Sequence, residues 1–215
     1  MNQEELLAAT RAHVRARLEG DSSGHDWWHI ERVARMARRL AQEEGADVLL
    51  CELAALVHDL VDWKINPDEA EALAELRAWL TGQGADNRIV EAVEEIITTM
   101  SFKGGNRPPM RTLEGQIVQD ADRLDAIGAI GIARAFAYGG TKGRPMHDPD
   151  ERPREQMTTA EYRHQQTGTI THFYEKLLLL KDRMNTATAR RLAEHRHAVL
   201  EAFLAEFQAE WQGER

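Results

Sequence analysis

Apolar residues recur at helical spacing along most of the chain, and no alternating strand pattern of any length interrupts them. The segment 47–63 leaves little polar face, which is typical of a helix buried on all sides, whereas 67–82 has the pattern of a solvent-facing helix. The pattern therefore predicts an all-α fold. Its helix-compatible segments are 3–19, 27–44, 47–63, 67–82, 86–100, 113–137, 157–184 and 186–211.

One long segment, 138–156, breaks the helical pattern because it is rich in glycine, proline and charge. A loop of that length is unusual in a compact domain, so we interpret it as a candidate lid over a binding site. We expect one domain over 1–215, with a core of about 20–137 and a C-terminal helix pair at about 157–211 packed on it. Phe203, Phe207 and Trp211 give the last helix an apolar face that suits either the core or a homodimer.

Composition and charge narrow the possible functions. Hydrophobic residues make up 42% and charged residues 29% of the chain, as in ordinary soluble globular proteins. The net charge of -9 argues against a binder of duplex nucleic acid, but it does not exclude a small anionic substrate at a locally positive pocket. The absence of a leader pattern and of a membrane-length apolar run predicts a cytoplasmic protein without membrane attachment. The single cysteine, Cys51, is predicted to be a buried thiol.

The candidate chemistry lies at polar residues where the pattern calls for apolar ones. His58 and Asp59 interrupt the most apolar segment, and a buried carboxylate needs a partner or a metal ion. Taken alone, this dipeptide favours a buried His–Asp pair. His29 borders the core face of an earlier helix, however, and Asp122 begins another apolar stretch. Two imidazoles and two carboxylates together suit a Mn, Fe, Co, Ni or Zn ion.

Three aspartates compete for the last ligand position. Asp120 and Asp122 point about 200° apart on a helix, so both can hardly bind one ion. Asp122 and Asp125 are about 60° apart and share a face. We choose Asp122 as the ligand and Asp125 as a carboxylate that supports it or contacts the substrate. Asp120 is expected to cap the helix or face away.

The order H…HD…D resembles the HD-domain superfamily of metal-dependent phosphohydrolases. The fuller strings GHDWWHIERV, LAALVHDLVD, TMSFKGG and QDADRLDAIGAIGIARAF, with HFYEKLLLL and FLAEFQAEW, are similar to one bacterial branch over residues 20–211. The resemblance implies a helical bundle around one divalent metal ion held by His29, His58, Asp59 and Asp122. It implies a manganese-dependent nucleoside triphosphate pyrophosphohydrolase acting on nucleotides, with Fe, Co, Ni, Zn or Mg as other possible ions.

Further residues are predicted to take part in catalysis. The resemblance implies a proton-transfer role for Asp62, four positions after His58, although an exposed helix-end carboxylate is the alternative. His25 could contact substrate phosphate or exchange a proton, join His29 on the metal ion, or be structural. Lys103 in SFKGG and Arg123, directly after Asp122, are predicted to stabilise phosphoryl charge.

Substrate binding is predicted for Lys103, Asp125, Tyr138, Lys142 and Arg144, although the last two also suit a solvated loop. Trp27 and Trp28 are predicted to pack, with nucleobase stacking as the alternative. The rival functions are a nucleotidase, a triphosphohydrolase and a nucleotide-binding sensor without catalysis.

Overall fold

The computed structural model of the protein describes residues 2–20, 26–61, 68–100, 109–154 and 167–215. Within these ranges the secondary structure is helical and no strand occurs, so the prediction of an all-α fold is confirmed. Short 3-10 helices lie at His58–Val61, Leu177–Leu179 and Lys181–Arg183. The α-helices are α1 (Gln3–Leu18), α2 (Trp27–Glu44), α3 (Val48–Val57), α4 (Glu69–Gly82), α5 (Asn87–Thr99), α6 (Leu113–Asp125), α7 (Gly128–Thr141), α8 (Thr169–Glu175) and α9 (Ala187–Trp211).

The chain divides into two compact units. Among the described residues, the first unit contains everything up to residue 122, and the second contains 123–154 and 167–215. The division falls inside α6, whereas the predicted core extended to about residue 137. The prediction of a single domain with an appended helix pair stays a prediction.

Helix α3 forms the centre of the first unit. Residues 51–57 are each at most 3% exposed, and the helix packs against α1, α2 and α5. This burial confirms that the most apolar segment is a central helix. Helix α4 buries only the stripe of Ala72, Leu76 and Leu80, so it faces solvent on its other side.

Cys51 lies on α3 and is fully buried, as predicted. Burial raises the pKa of its thiol to about 12, with smaller effects from Glu114 and Asp47. Because only the thiolate is nucleophilic, and its ordinary pKa is 9.0, the reactive fraction at pH 8 falls by about a thousandfold. We expect a thiol reagent such as iodoacetamide to leave Cys51 unmodified in the native protein and to modify it fully in 8 M urea. Rapid modification of the folded chain, measured by mass spectrometry, would contradict this burial.

The second unit is organised around α7 and α9, which pack together. Phe203 of α9 contacts Phe136 of α7 and Phe173 of α8, with ring centroids 5.9 and 5.7 Å away. Farther along α9, Phe207 stacks on Trp211, which is half exposed. The predicted apolar face of the last helix therefore contributes to a core within this unit, and the predicted homodimer stays a prediction.

The segment 113–137 is two helices and not one, so the prediction of continuous helix is wrong there. The chain turns at Gly128, which adopts a left-handed φ of +74° that glycine tolerates best. A Cβ on Gly131 would lie 2.3 Å from the carbonyl oxygen of Ala126, so a larger residue could not pack against the turn. The left-handed φ of Gly128 and the close approach at Gly131 both arise from the turned backbone, and helical spacing does not predict either of them.

Two other segments also differ from the predicted elements. The helix predicted over 157–184 is present at Thr169–Glu175 and then gives way to the 3-10 turns of Leu177–Leu179 and Lys181–Arg183, while 155–166 lies outside the described residues. The loop predicted from residue 138 begins only after Thr141, since the Lys142 amide still donates a helical hydrogen bond to the Tyr138 carbonyl. Gly139 lies close to Thr169 of α8: a Cβ on this glycine would lie 2.3 Å from the Thr169 hydroxyl.

None of the helices in the described ranges combines the length and the apolar character that crossing a bilayer requires.

Candidate metal centre

The first unit brings together all four residues that the sequence predicts as metal ligands. His29 lies in the first turn of α2, and Asp122 lies near the end of α6. His58 and Asp59 begin the 3-10 helix that directly follows α3. The expectation that these two residues lie in the middle of a long helix is therefore wrong, because α3 ends at Val57.

The end of α3 orients the His58 ring. Carbonyl groups in the last turn of an α-helix lack α-helical partners, and that of Ala55 lies 2.8 Å from His58 Nδ1. A carbonyl oxygen can only accept a hydrogen bond, so Nδ1 carries the proton. A neutral ring of this tautomer presents the lone pair of Nε2 toward the neighbouring carboxylates, the orientation that a metal-binding histidine needs.

The start of α2 fixes the backbone of His29. Asp26 is the N-cap residue, and its carboxylate accepts a hydrogen bond from the His29 amide at 2.9 Å. Such a cap satisfies a donor that the first turn of the helix leaves without a helical partner. His29 is completely buried, so the surrounding core holds its ring while the cap holds its backbone.

The donor atoms of the four residues converge within a few ångströms. His29 Nε2 lies 3.5 Å from a carboxylate oxygen of Asp59 and 3.5 Å from one of Asp122. His58 Nε2 lies 3.3 Å from Asp59 and 3.8 Å from Asp122. The two imidazole rings are 5.3 Å apart, nearly edge to face. Two imidazole nitrogens and oxygens of two carboxylates thus lie within 4 Å of one another in N–O pairs.

These residues fit a divalent cation by spacing and by charge. Ligands about 2.1 Å from a common ion lie roughly 3.0–3.4 Å from their neighbours, close to the separations between these imidazole and carboxylate atoms. Donor atoms of His29, His58 and Asp59 all lie within 4.8 Å of one another. The two carboxylates beside the imidazoles also supply negative charge that a divalent ion would balance.

Two of the three aspartates of α6, Asp120 and Asp122, differ in burial. The Asp122 side chain is 39% exposed, so it borders solvent, whereas Asp120 is completely buried. Asp120 lies in the interior of α6, so it does not cap that helix, and the expectation that it faces away from the ion stays a prediction. Its burial was readable from the sequence, because Asp120 follows the buried Ile117 by three residues and precedes the buried Leu124 by four.

Several predicted residues lie outside the described part of the chain. They are His25, Asp62 and Lys103, so the proton-transfer and phosphate roles assigned to them stay predictions.

The remaining predicted residues belong to the second unit. Arg123 donates a hydrogen bond to the Arg183 carbonyl, and Asp125 is buried in an ion pair with Arg134 at 3.1 Å. Lys142 and Arg144 lie 5.7 and 5.3 Å from the centre of the Tyr138 ring. Each of these side chains thus has a partner in its own unit, and the predicted contacts with substrate stay predictions.

Comparisons with known proteins agree with the superfamily that the order of the motifs predicts. Residues 27–127 match the HD domain family. The Bacillus subtilis protein YpgQ is 40% identical over 205 residues, which is 94% of this chain and 92% of YpgQ. A crystal structure of YpgQ in complex with ADP has a TM-score of 0.77 at 39% identity, covering 95% of this chain and 97% of that one.

Two further crystal structures resemble this chain closely. One, of a Lactobacillus plantarum protein, has a TM-score of 0.89 at 46% identity and covers 98% of both chains. The other, of an HD-superfamily hydrolase from Bacillus thuringiensis, has a TM-score of 0.76 at 43% identity and covers 98% of this chain and 99% of that one. HD domains bind divalent metal ions, as the clustered imidazoles and carboxylates here would allow. The chain therefore belongs to the HD superfamily and is a metal-dependent phosphohydrolase.

Proposed function

We propose that this protein hydrolyses nucleoside triphosphates, or their deoxy forms, between the α and β phosphates. Water attacks the α phosphorus, the bond to the bridging oxygen breaks, and a nucleoside monophosphate and pyrophosphate leave. The observation that carries the proposal is the convergence of His29, His58, Asp59 and Asp122 on one point. YpgQ, which is similar over nearly the whole chain, was crystallised with ADP, and this supports a nucleotide as the substrate.

The four residues would hold one divalent ion, for which manganese is our first choice. A bound divalent ion supplies Lewis-acid chemistry, because it activates water for attack and neutralises charge on phosphoryl oxygens. His58 is oriented for this role by its hydrogen bond to the Ala55 carbonyl, and His29 by burial and the capped first turn of α2. Asp122 is the most exposed ligand, so we assign the substrate to the side of the site that it borders. Lys103, His25 and Asp62 are proposed to balance phosphate charge and exchange protons.

Product analysis tests the reaction. With Mn²⁺ and a panel of nucleoside triphosphates, we expect chromatography to resolve monophosphate and pyrophosphate in equal amounts, because a single bond is cut. Chelation with EDTA should stop the reaction, and added Mn²⁺ should restore it.

The other outcomes identify the rival functions. Release of inorganic phosphate would identify a nucleotidase, and release of triphosphate would identify a triphosphohydrolase. Tight nucleotide binding without any turnover across Mn²⁺, Co²⁺, Ni²⁺ and Mg²⁺ would replace the enzyme by a sensor.

A further inference from the structure

Two consecutive tryptophans at the start of α2 have opposite environments. Trp27 is 8% exposed and packs in the core, whereas Trp28 is 58% exposed. Tryptophan is usually well buried, since its large ring gains more than most side chains from leaving water. The prediction that both tryptophans pack is therefore wrong for Trp28, whose solvent-facing indole directly precedes the buried His29.

The order of side chains around α2 connects Trp28 with the metal centre. Successive residues of a helix are about 100° apart, so the buried Ile30 and Val33 lie on one side of His29 and Trp28 lies on the other. Arg32, which is half buried, follows His29 by three residues and Trp28 by four, so it lies next to both. Around the helix the order is thus apolar core, metal-binding imidazole, cation and exposed aromatic ring.

This order matches the chemistry of a nucleotide. A nucleotide carries phosphates at one end and a flat base at the other, and a phosphate held at a metal ion leaves the base to be bound nearby. Arginine suits phosphate oxygens, and an indole face suits any nucleobase. We propose that Trp28 is the stacking platform for the base of the substrate and that Arg32 contacts its phosphates. This inference rests on the proposed function and names the residues that would recognise the substrate. They favour nucleotides over other phosphate compounds but do not select a particular base.

Kinetics of Trp28→Ala test the stacking. Base–aromatic stacking is lost in this variant, so we expect KM for a nucleoside triphosphate to rise roughly tenfold while kcat changes little. Inhibition by the monophosphate product, which retains the base, should weaken by a similar factor. Inhibition by pyrophosphate, which has no base, should stay the same. Trp28→Phe should recover most of the loss, and Arg32→Gln should weaken inhibition by both products.

Matched measurements separate stacking from damage to the fold. Trp211→Ala removes another half-exposed tryptophan, far from His29 in the sequence and in the second unit, and should leave KM unchanged. The metal content of Trp28→Ala should equal that of the unaltered protein. Suppose that the unaltered protein turns over nucleotides. The stacking role is overturned if Trp28→Ala has the same KM, or if this variant weakens inhibition by pyrophosphate and by the monophosphate equally.

A binding measurement distinguishes failure of the inference from failure of the proposed function. Titration with ADP and Mn²⁺ should quench tryptophan fluorescence, and Trp28→Phe should remove most of that quenching. Quenching that depends on Trp28 without turnover would overturn the hydrolysis but support the stacking. If neither ADP nor any triphosphate binds, both proposals are overturned.

Discussion

Replacing Asp122 by alanine is expected to remove both the bound divalent ion and the hydrolytic activity. The substitution deletes one of four converging donors and one of the two negative charges that balance the cation. Stabilisation of phosphoryl charge by a metal ion contributes several kcal/mol, so kcat/KM should fall by about a thousandfold or more. Metal content measured by mass spectrometry and nucleotide hydrolysis measured by product release check the two expectations separately.

Asp122 is the best of the four positions for this experiment. Its side chain is 39% exposed, so removal creates little cavity, whereas His29 is completely buried and its removal would also disturb the core. Asp182→Ala, at an exposed position of the second unit, is the matched control and should keep both metal and activity. A folded Asp122→Ala protein that retains its metal and its turnover would remove this residue from the site.

The clustering of the four candidate residues could be predicted because burial makes a polar residue informative. His58 and Asp59 stood out only because the residues before them are uniformly apolar, and a charge in such surroundings needs compensation. Helical angles indicated that Asp120 and Asp122 could hardly bind one ion together, and the carboxylate of the chosen Asp122 does lie 3.5 Å from His29 Nε2. The order of the motifs along the chain identified the superfamily that the comparisons support.

The local geometry of the site was not predictable in the same way. Helical spacing continues through His58, yet the α-helix ends at Val57, and the ring is oriented by a carbonyl oxygen that the sequence does not mark. The aromatic character of Trp27 and Trp28 predicts packing for both, although the two residues lie about 100° apart on a helix. Their exposures differ because α2 begins at Trp27, so the burial of each ring depends on where the first turn starts.

The largest effect on stability is expected at Arg154 in the second unit. Its guanidinium donates to Glu175 at 2.7 and 3.1 Å, and the Glu175 side chain is 0% exposed. Arg154→Ala would remove this guanidinium from a buried carboxylate that also lies within hydrogen-bond distance of the backbone amide of residue 154 and the Thr167 hydroxyl. Such a loss costs about 3 kcal/mol, which urea denaturation of the full chain followed by circular dichroism can measure.

We attribute the cost to the buried charge of Glu175 and not to the lost attraction, and a double variant can show this. Replacing both partners, as in Arg154→Met with Glu175→Leu, removes the buried charge together with its counterion, so it should recover much of the lost stability. Arg152→Ala, two residues away and exposed, should change the free energy of unfolding by less than about 0.5 kcal/mol. If the double variant is as unstable as Arg154→Ala, the guanidinium stabilises this unit through its packing, and the buried charge of Glu175 is not what it compensates.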